Sequence, residues 1–115
     1  MGISMILIIG GAYQGKYDFA LNTLGLKEEN ILNSFHMLTK RMLEDGKSIE
    51  KETEKIIGDN DIQAVISDEI GCGVVPMDKA DREWREQTGR ALCKIAAASY
   101  EVYRIQCGVP LKIKG

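Results

Sequence analysis

The chain carries a single histidine, His36, and three cysteines, Cys72, Cys93 and Cys107, in 115 residues. With no CxxC pair and one imidazole, that donor set does not build a zinc site. An odd number of widely spaced thiols reads as reduced cytosolic cysteine rather than a disulfide framework. Neither sign of charge is in excess: 15 Lys+Arg against 17 Asp+Glu leave a formal net charge of -2. The basic stripe that nucleic-acid binding requires is therefore missing. Long hydrophobic runs are missing too. The longest, Met5–Ile9, falls far short of the roughly 20 residues of a membrane span. No basic segment precedes it, so a secretory signal is not expected. Nucleic acid and membrane are excluded as partners, and a cytoplasmic location is expected.

What is present suits one globular domain over residues 1–115. The chain is 44% hydrophobic and 28% charged, and its charges are mixed in sign, which argues against disorder. Two domains do not fit, because domains below about 50 residues seldom fold alone. A chain of this size still buries roughly two thirds of its unfolded surface.

Periodicity gives the elements. Ser4–Ile9 reads as a strand buried on both faces and ended by Gly10-Gly11. Lys16–Leu24 has helical spacing, and Gly25 closes it. Asn30–Asn33 is a weak second strand. Phe35–Asp45 is a helix broken by Gly46, and a further helix starts at Ser48 and carries Ile49, Thr53, Ile56 and Ile57 on one face. Ile62–Ser67 is a third strand, followed by the glycine-rich loop Gly71–Pro76. The longest helix starts near Asp78 and aligns Trp84, Thr88, Ala91, Leu92, Ile95 and Ala96. Glu101–Gln106 is a final strand, followed by Gly108-Val109-Pro110 and a short tail. The alternation predicts an α/β domain with a mainly parallel sheet of about four strands.

The strongest chemical signal is Gly10-Gly11-Ala12-Tyr13-Gln14-Gly15-Lys16. It fits GxxxxGK, the core of a Walker A phosphate loop, between a predicted strand and a predicted helix. Glycines let successive N–H groups aim at phosphate oxygens, and the helix N-terminus faces the same anion. Lys16 would reach the outer phosphates as a point charge. The next residue departs from the pattern. Tyr17 stands where Ser or Thr would ligate magnesium, and a phenol oxygen lies too far from the backbone to replace it.

Beyond the third strand, several segments resemble one family. Ile66-Ser67-Asp68-Glu69-Ile70-Gly71-Cys72-Gly73-Val74-Val75-Pro76 is similar to the "VSNEVGxGxVP" segment of the adenosylcobinamide kinase / adenosylcobinamide-phosphate guanylyltransferase family. Arg82-Glu83-Trp84-Arg85 with Gly89-Arg90 resembles its "RxFRDxxGR" helix, and Gly108–Lys114 its "GIPLKLK" tail. The resemblance implies a P-loop NTPase-like fold and a place in cobalamin biosynthesis. Family members phosphorylate a hydroxyl of adenosylcobinamide, then transfer GMP from GTP through a covalent histidine. By resemblance, Gly10, Gly11, Ala12, Tyr13, Gln14, Gly15, Lys16 and Tyr17 cradle GTP or ATP, and Lys16 and Glu69 are the catalytic candidates. Arg82, Arg85 and Arg90 match basic helix positions. Cobinamide is the implied acceptor, and the ring-like assemblies of the family make a homo-oligomer an open expectation.

The departures are as informative. Asn33 stands where the family's "VDCLTLW" segment has its aspartate, so both usual magnesium anchors are altered and no metal-ligand set is assigned. Leu24-Gly25-Leu26 runs almost directly into Ile31. The family's intervening segment, which carries the guanylylated histidine, is missing. His36 lies outside that segment and reads as a partly buried structural residue. Asp68 replaces the family's asparagine. Beside Glu69 it reads either as a carboxylate that raises one pKa of the pair or replaces a metal ligand, or as one of two exposed acids. Trp84 reads as a core anchor, Glu50–Lys55 as a solvated helix face, and Cys72 as an inert small residue. Two functions follow: a phosphotransferase without the guanylyl step, or a non-catalytic relative that binds nucleotide or another anion for regulation or assembly.

Overall fold

A computed structural model describes residues 5–11, 15–70 and 78–115. Strand β1, Ile6–Gly10, is buried on both faces. Its alternate side chains feed two separate cores. Met5 and Leu7 pack with Phe35, Met42, Ile49, Ile56, Val65, Ala91, Ile95 and Val102. Ile6 and Ile8 pack on the other face with Ala20, Ala64, Ile66 and Ile105. A strand with both faces covered needs an unbroken apolar run, which is what Met5–Ile9 supplies.

The sheet has five strands in the order β2-β3-β1-β4-β5. Strand β2 is Ile31–Leu32, β3 is Ala64–Asp68, β4 is Glu101–Gln106 and β5 is Val109–Lys114. The first four are parallel and β5 is antiparallel to β4. Helices α2 (Phe35–Glu44), α3 (Ile49–Ile57) and α4 (Lys79–Ala98) supply the larger core. Ser48 and Asp78 cap α3 and α4 by accepting from the N–H groups of Lys51 and Asp81, which satisfies donors that a helix start leaves open. On α2 and α4, Thr39 and Thr88 share a buried hydroxyl hydrogen bond of 2.6 Å.

The first crossover differs from the regular helix that its spacing predicts. Helix α1 is a single turn, Lys16–Asp18, which continues as a π-helical turn over Phe19–Thr23. The Leu24 N–H donates to the Phe19 carbonyl at 3.0 Å. This wider turn lets Tyr17, Phe19 and Leu24 all pack against the smaller core. Gly25, at φ 68, then ends it.

The chain end also departs from expectation. The predicted short tail is a fifth strand, longer than β2. Cys107 and Gly108 both have positive φ, 52 and 75, and Gln106 pairs with Val109. That is the geometry of a two-residue hairpin whose twist matches its strands. Pro110 reads as a breaker in sequence, but it is tolerated on an edge strand. Lys112 crosses back to Glu101 at 2.8 Å and ties β5 to β4. The glycine-rich loop predicted at Gly71–Pro76, with Cys72, lies outside the described residues. So does Ser4, and β1 starts at Ile6.

Strands β1, β3 and β4 end together, with Gly10 level with Asp68 on one side and Ile105 on the other. A Cβ on Gly10 would lie 2.4 Å from the Ile105 carbonyl oxygen, a backbone atom. Gly10 is therefore required by strand packing as well as by any loop that follows. Gly10→Ala should cost about 1–3 kcal/mol of stability by overpacking, measured by urea unfolding. Glu101 offers a second test. Hydrogen bonds from Lys112, and secondarily from Tyr103, hold its carboxyl below the ordinary value of 4.5. A depressed carboxylate contributes stability above its unfolded pKa and loses it as pH falls through the folded value. The melting temperature should therefore decline on acidification below about pH 4.5, and Lys112→Met should flatten that slope.

Candidate phosphate site

The site is assembled at the carboxyl ends of β1 and β3. Gly11 follows β1, and Gly15, left-handed at φ 83, opens α1. Ala12, Tyr13 and Gln14 lie outside the described residues. Lys16 is only 7% exposed. Its ammonium donates to the Gly11 carbonyl at 2.6 Å and lies 2.8 Å from Asp68 Oδ1. Lys16 is thus folded back onto Gly11 and held by an acid at the end of the neighbouring strand. Tyr17 is partly buried and packs against the smaller core. Its backbone still belongs to the first turn.

Asp68 is therefore neither an exposed acid nor a partner of Glu69. Each carboxylate has its own cation. Glu69 Oε1 lies 2.6 Å from Arg104 of β4, and the Glu69 N–H donates to the Gly10 carbonyl at 2.8 Å. The arginine that meets Glu69 is a strand residue. The helix arginines singled out by resemblance are engaged along α4, Arg85 beside Asp81 and Arg90 beside Glu86, while Arg82 is exposed.

His36 joins this cluster from the first turn of α2. Its Nδ1 accepts the Asp68 backbone N–H at 3.0 Å. That assigns the ring proton to Nε2, which lies 3.4 Å from Asp68 Oδ2. Burial pushes the imidazole below its ordinary pKa of 6.5, with Asp68 acting in the opposite direction and Lys16 in the same one. His36 is accordingly a neutral ring that accepts from the Asp68 backbone and lies beside its carboxylate. The residue pattern held no sign of this link, since His36 and Asp68 lie on different elements. The signal that was available is the position of Asp68 itself, which ends the apolar run Ala64–Ser67 beside the strand that leads into the loop.

The corner before α2 is tightly bonded. Asn33 Oδ1 accepts from the Ser34 N–H at 2.9 Å, and Ser34 sits at φ 58. Trp84 Nε1 donates to the His36 carbonyl at 2.9 Å and to Thr39 Oγ1 at 3.1 Å. Trp84 thus anchors α4 to the corner that presents His36. Asn33 is used locally in that corner.

This strand order, with a glycine-rich loop leaving the central strand and a lysine opening the next helix, defines an α/β protein of the P-loop NTPase type. Residues 31–113 match the family described as cobinamide kinase / cobinamide phosphate guanyltransferase. The chain belongs to that family of cobalamin biosynthesis. The match begins after Gly10–Tyr17. Among known proteins, the chain is 36% identical over 50 residues to the bifunctional adenosylcobalamin biosynthesis protein CobU of Salmonella typhimurium. It is likewise 36% identical over 50 residues to the Escherichia coli protein of the same name. Either match covers 44% of this chain and 28% of the relative.

Trp84→Phe, the residue type in the family's motif, removes the indole donor and leaves the buried corner short of a hydrogen bond. It should cost about 1–2 kcal/mol, read as a lower denaturation midpoint.

Proposed function

We propose that the chain binds the polyphosphate of GTP or ATP at Gly10–Tyr17, with Lys16 as the charge that meets the outer phosphates. The observation that carries this reading is the buried Lys16 ammonium, held at the joined ends of β1 and β3 where the glycine loop begins. An ammonium so withdrawn from water is costly unless it is paired. Here its partners are one carbonyl and one carboxylate, both replaceable by phosphate oxygens. Ligands of parallel α/β sheets bind in this place, beyond the strand ends where the chain reverses direction across the sheet.

The residues present fit magnesium in one respect. Magnesium at phosphate sites takes one or two carboxylates and completes its shell with phosphates and water. Asp68 offers one carboxylate beside Lys16, in the place where P-loop proteins carry an acidic metal partner at a strand end. Among the described residues no group of three His, Cys, Asp or Glu forms a dedicated cage. When bound, the ion would neutralise charge on the phosphates. Asp68 would hold it, Lys16 would hold the phosphate oxygens, and the Glu69–Arg104 pair would form the rim toward an acceptor.

In this reading the acceptor is the cobinamide hydroxyl, and the reaction is a phosphoryl transfer in the cytoplasm. The guanylyl step is absent, because the segment that carries the family's guanylylated histidine has no counterpart between α1 and β2. His36 does not replace it: it lies outside that segment, and its Nδ1 is taken by the Asp68 N–H. A non-catalytic nucleotide- or anion-binding role is the second reading. It is favoured by Tyr17, which packs against the smaller core where a serine or threonine would ligate magnesium, and by the neutral Asn33.

Calorimetric titration with GTP, ATP and pyrophosphate, with and without magnesium, tests the binding. Lys16→Ala should weaken it about ten- to a hundredfold. Binding indifferent to Lys16 would reject the phosphate-loop reading. Incubation with γ-labelled ATP or GTP and cobinamide then separates the two functions. Labelled cobinamide phosphate establishes the kinase, and its absence in a chain that binds nucleotide supports the second reading. With GTP labelled on the α-phosphate, label retained on protein histidine would overturn loss of the guanylyl step.

A further inference from the structure

We propose that Asp68 is a built-in competitor for the phosphate at Lys16, so that the site takes magnesium-complexed polyphosphate in preference to the metal-free anion. This rests on the reading of Gly10–Tyr17 as a polyphosphate cradle.

The Lys16 ammonium has three protons. One is committed to the Gly11 carbonyl at 2.6 Å, and another faces Asp68 Oδ1 at 2.8 Å. With the side chain only 7% exposed, Lys16 presents its charge beside Asp68. An entering phosphate must therefore share the ammonium with Asp68 or displace it.

Asp68 is held close to Lys16 by its backbone. Its backbone is paired to β1 at Gly10, and its N–H donates to His36 Nδ1 at 3.0 Å. Its second oxygen lies 3.4 Å from His36 Nε2. His36 is itself fixed through its carbonyl by Trp84. When Lys16 turns to a phosphate, the carboxylate remains beside it. The neutral His36 ring lies beside that carboxylate without cancelling its charge.

A metal-free polyphosphate thus meets a pair of zero net charge, one half of which repels it. Glu69 adds little to that repulsion, since Arg104 already pairs with it at 2.6 Å. A divalent cation carried by the phosphates reverses the sign: the same carboxylate then attracts the complex. Asp68 is thereby a specificity-determining residue, and asparagine, which the family's motif carries here, would not discriminate in this way.

Inorganic pyrophosphate is the probe, titrated calorimetrically into the full chain with and without magnesium. Asp68→Asn should bind metal-free pyrophosphate about tenfold more tightly than the parent chain. Magnesium should improve binding about tenfold or more in the parent and far less in the variant. In a Lys16→Ala background the gain from Asp68→Asn should vanish, because the competition acts through that ammonium. Asp68→Ala, with its fold checked by circular dichroism, should change metal-free binding in the same direction. If the parent binds pyrophosphate and neither Asp68 variant binds the metal-free anion more tightly, the competition is disproved while the cradle stands. If neither parent nor variants bind pyrophosphate under either condition, the cradle fails and the competition with it.

Discussion

Lys16 and Asp68 are joined because strands β1 and β3 end in the same register. Gly10 lies level with Asp68, so the residue that starts the loop and the acid that ends the neighbouring strand share one edge of the sheet. A lysine that opens the following helix then has its nearest anion across a single strand spacing. Without that alignment the ammonium would be buried and unpaired, a cost that folding does not tolerate well. The loop mouth, the α1 start and the His36 corner are all arranged around this one ion pair.

The alignment is set by packing on both faces. Met5 and Leu7 lock β1 to the helical layer formed by α2, α3 and α4, while Ile6 and Ile8 lock it to the short α1 turn. A slip of one residue would exchange these sets and drive each into the wrong core. Gly10 ends the strand where the Ile105 carbonyl leaves no room for a Cβ. The same packing brings α4 over α2, where Thr39, Thr88 and Trp84 bond across the interface. The corner that holds His36 against Asp68 is therefore fixed from behind by the core.

Legibility varied by element for physical reasons. Strand β1, helix α4 and strand β4 were readable because apolar period and capping residues act locally. Strand β5 was hidden. Its hairpin puts a cysteine at positive φ where asparagine or aspartate is usual, and Val109-Pro110 looks like the end of order. The π-helical turn was hidden as well, since Phe19, Ala20 and Leu24 satisfy an ordinary helical spacing almost as well as a wider one. In the site, Gly10, Gly11, Gly15 and Lys16 stood out because the loop pattern is contiguous. Asp68 was visible only as half of an acidic pair, and its true partner lies on another element.

The amino-acid order alone determined that the chain alternates strands and helices, that a glycine loop and a lysine follow a doubly buried strand, and which family it resembles. These are properties of neighbouring residues and of period. Only the tertiary structure decided which acid meets Lys16, that Glu69 belongs to Arg104, and that His36 accepts from the Asp68 backbone. Those contacts depend on the register of parallel strands and the seating of helices on them. Register is the joint result of many side chains on two faces, and no single segment of the chain contains it.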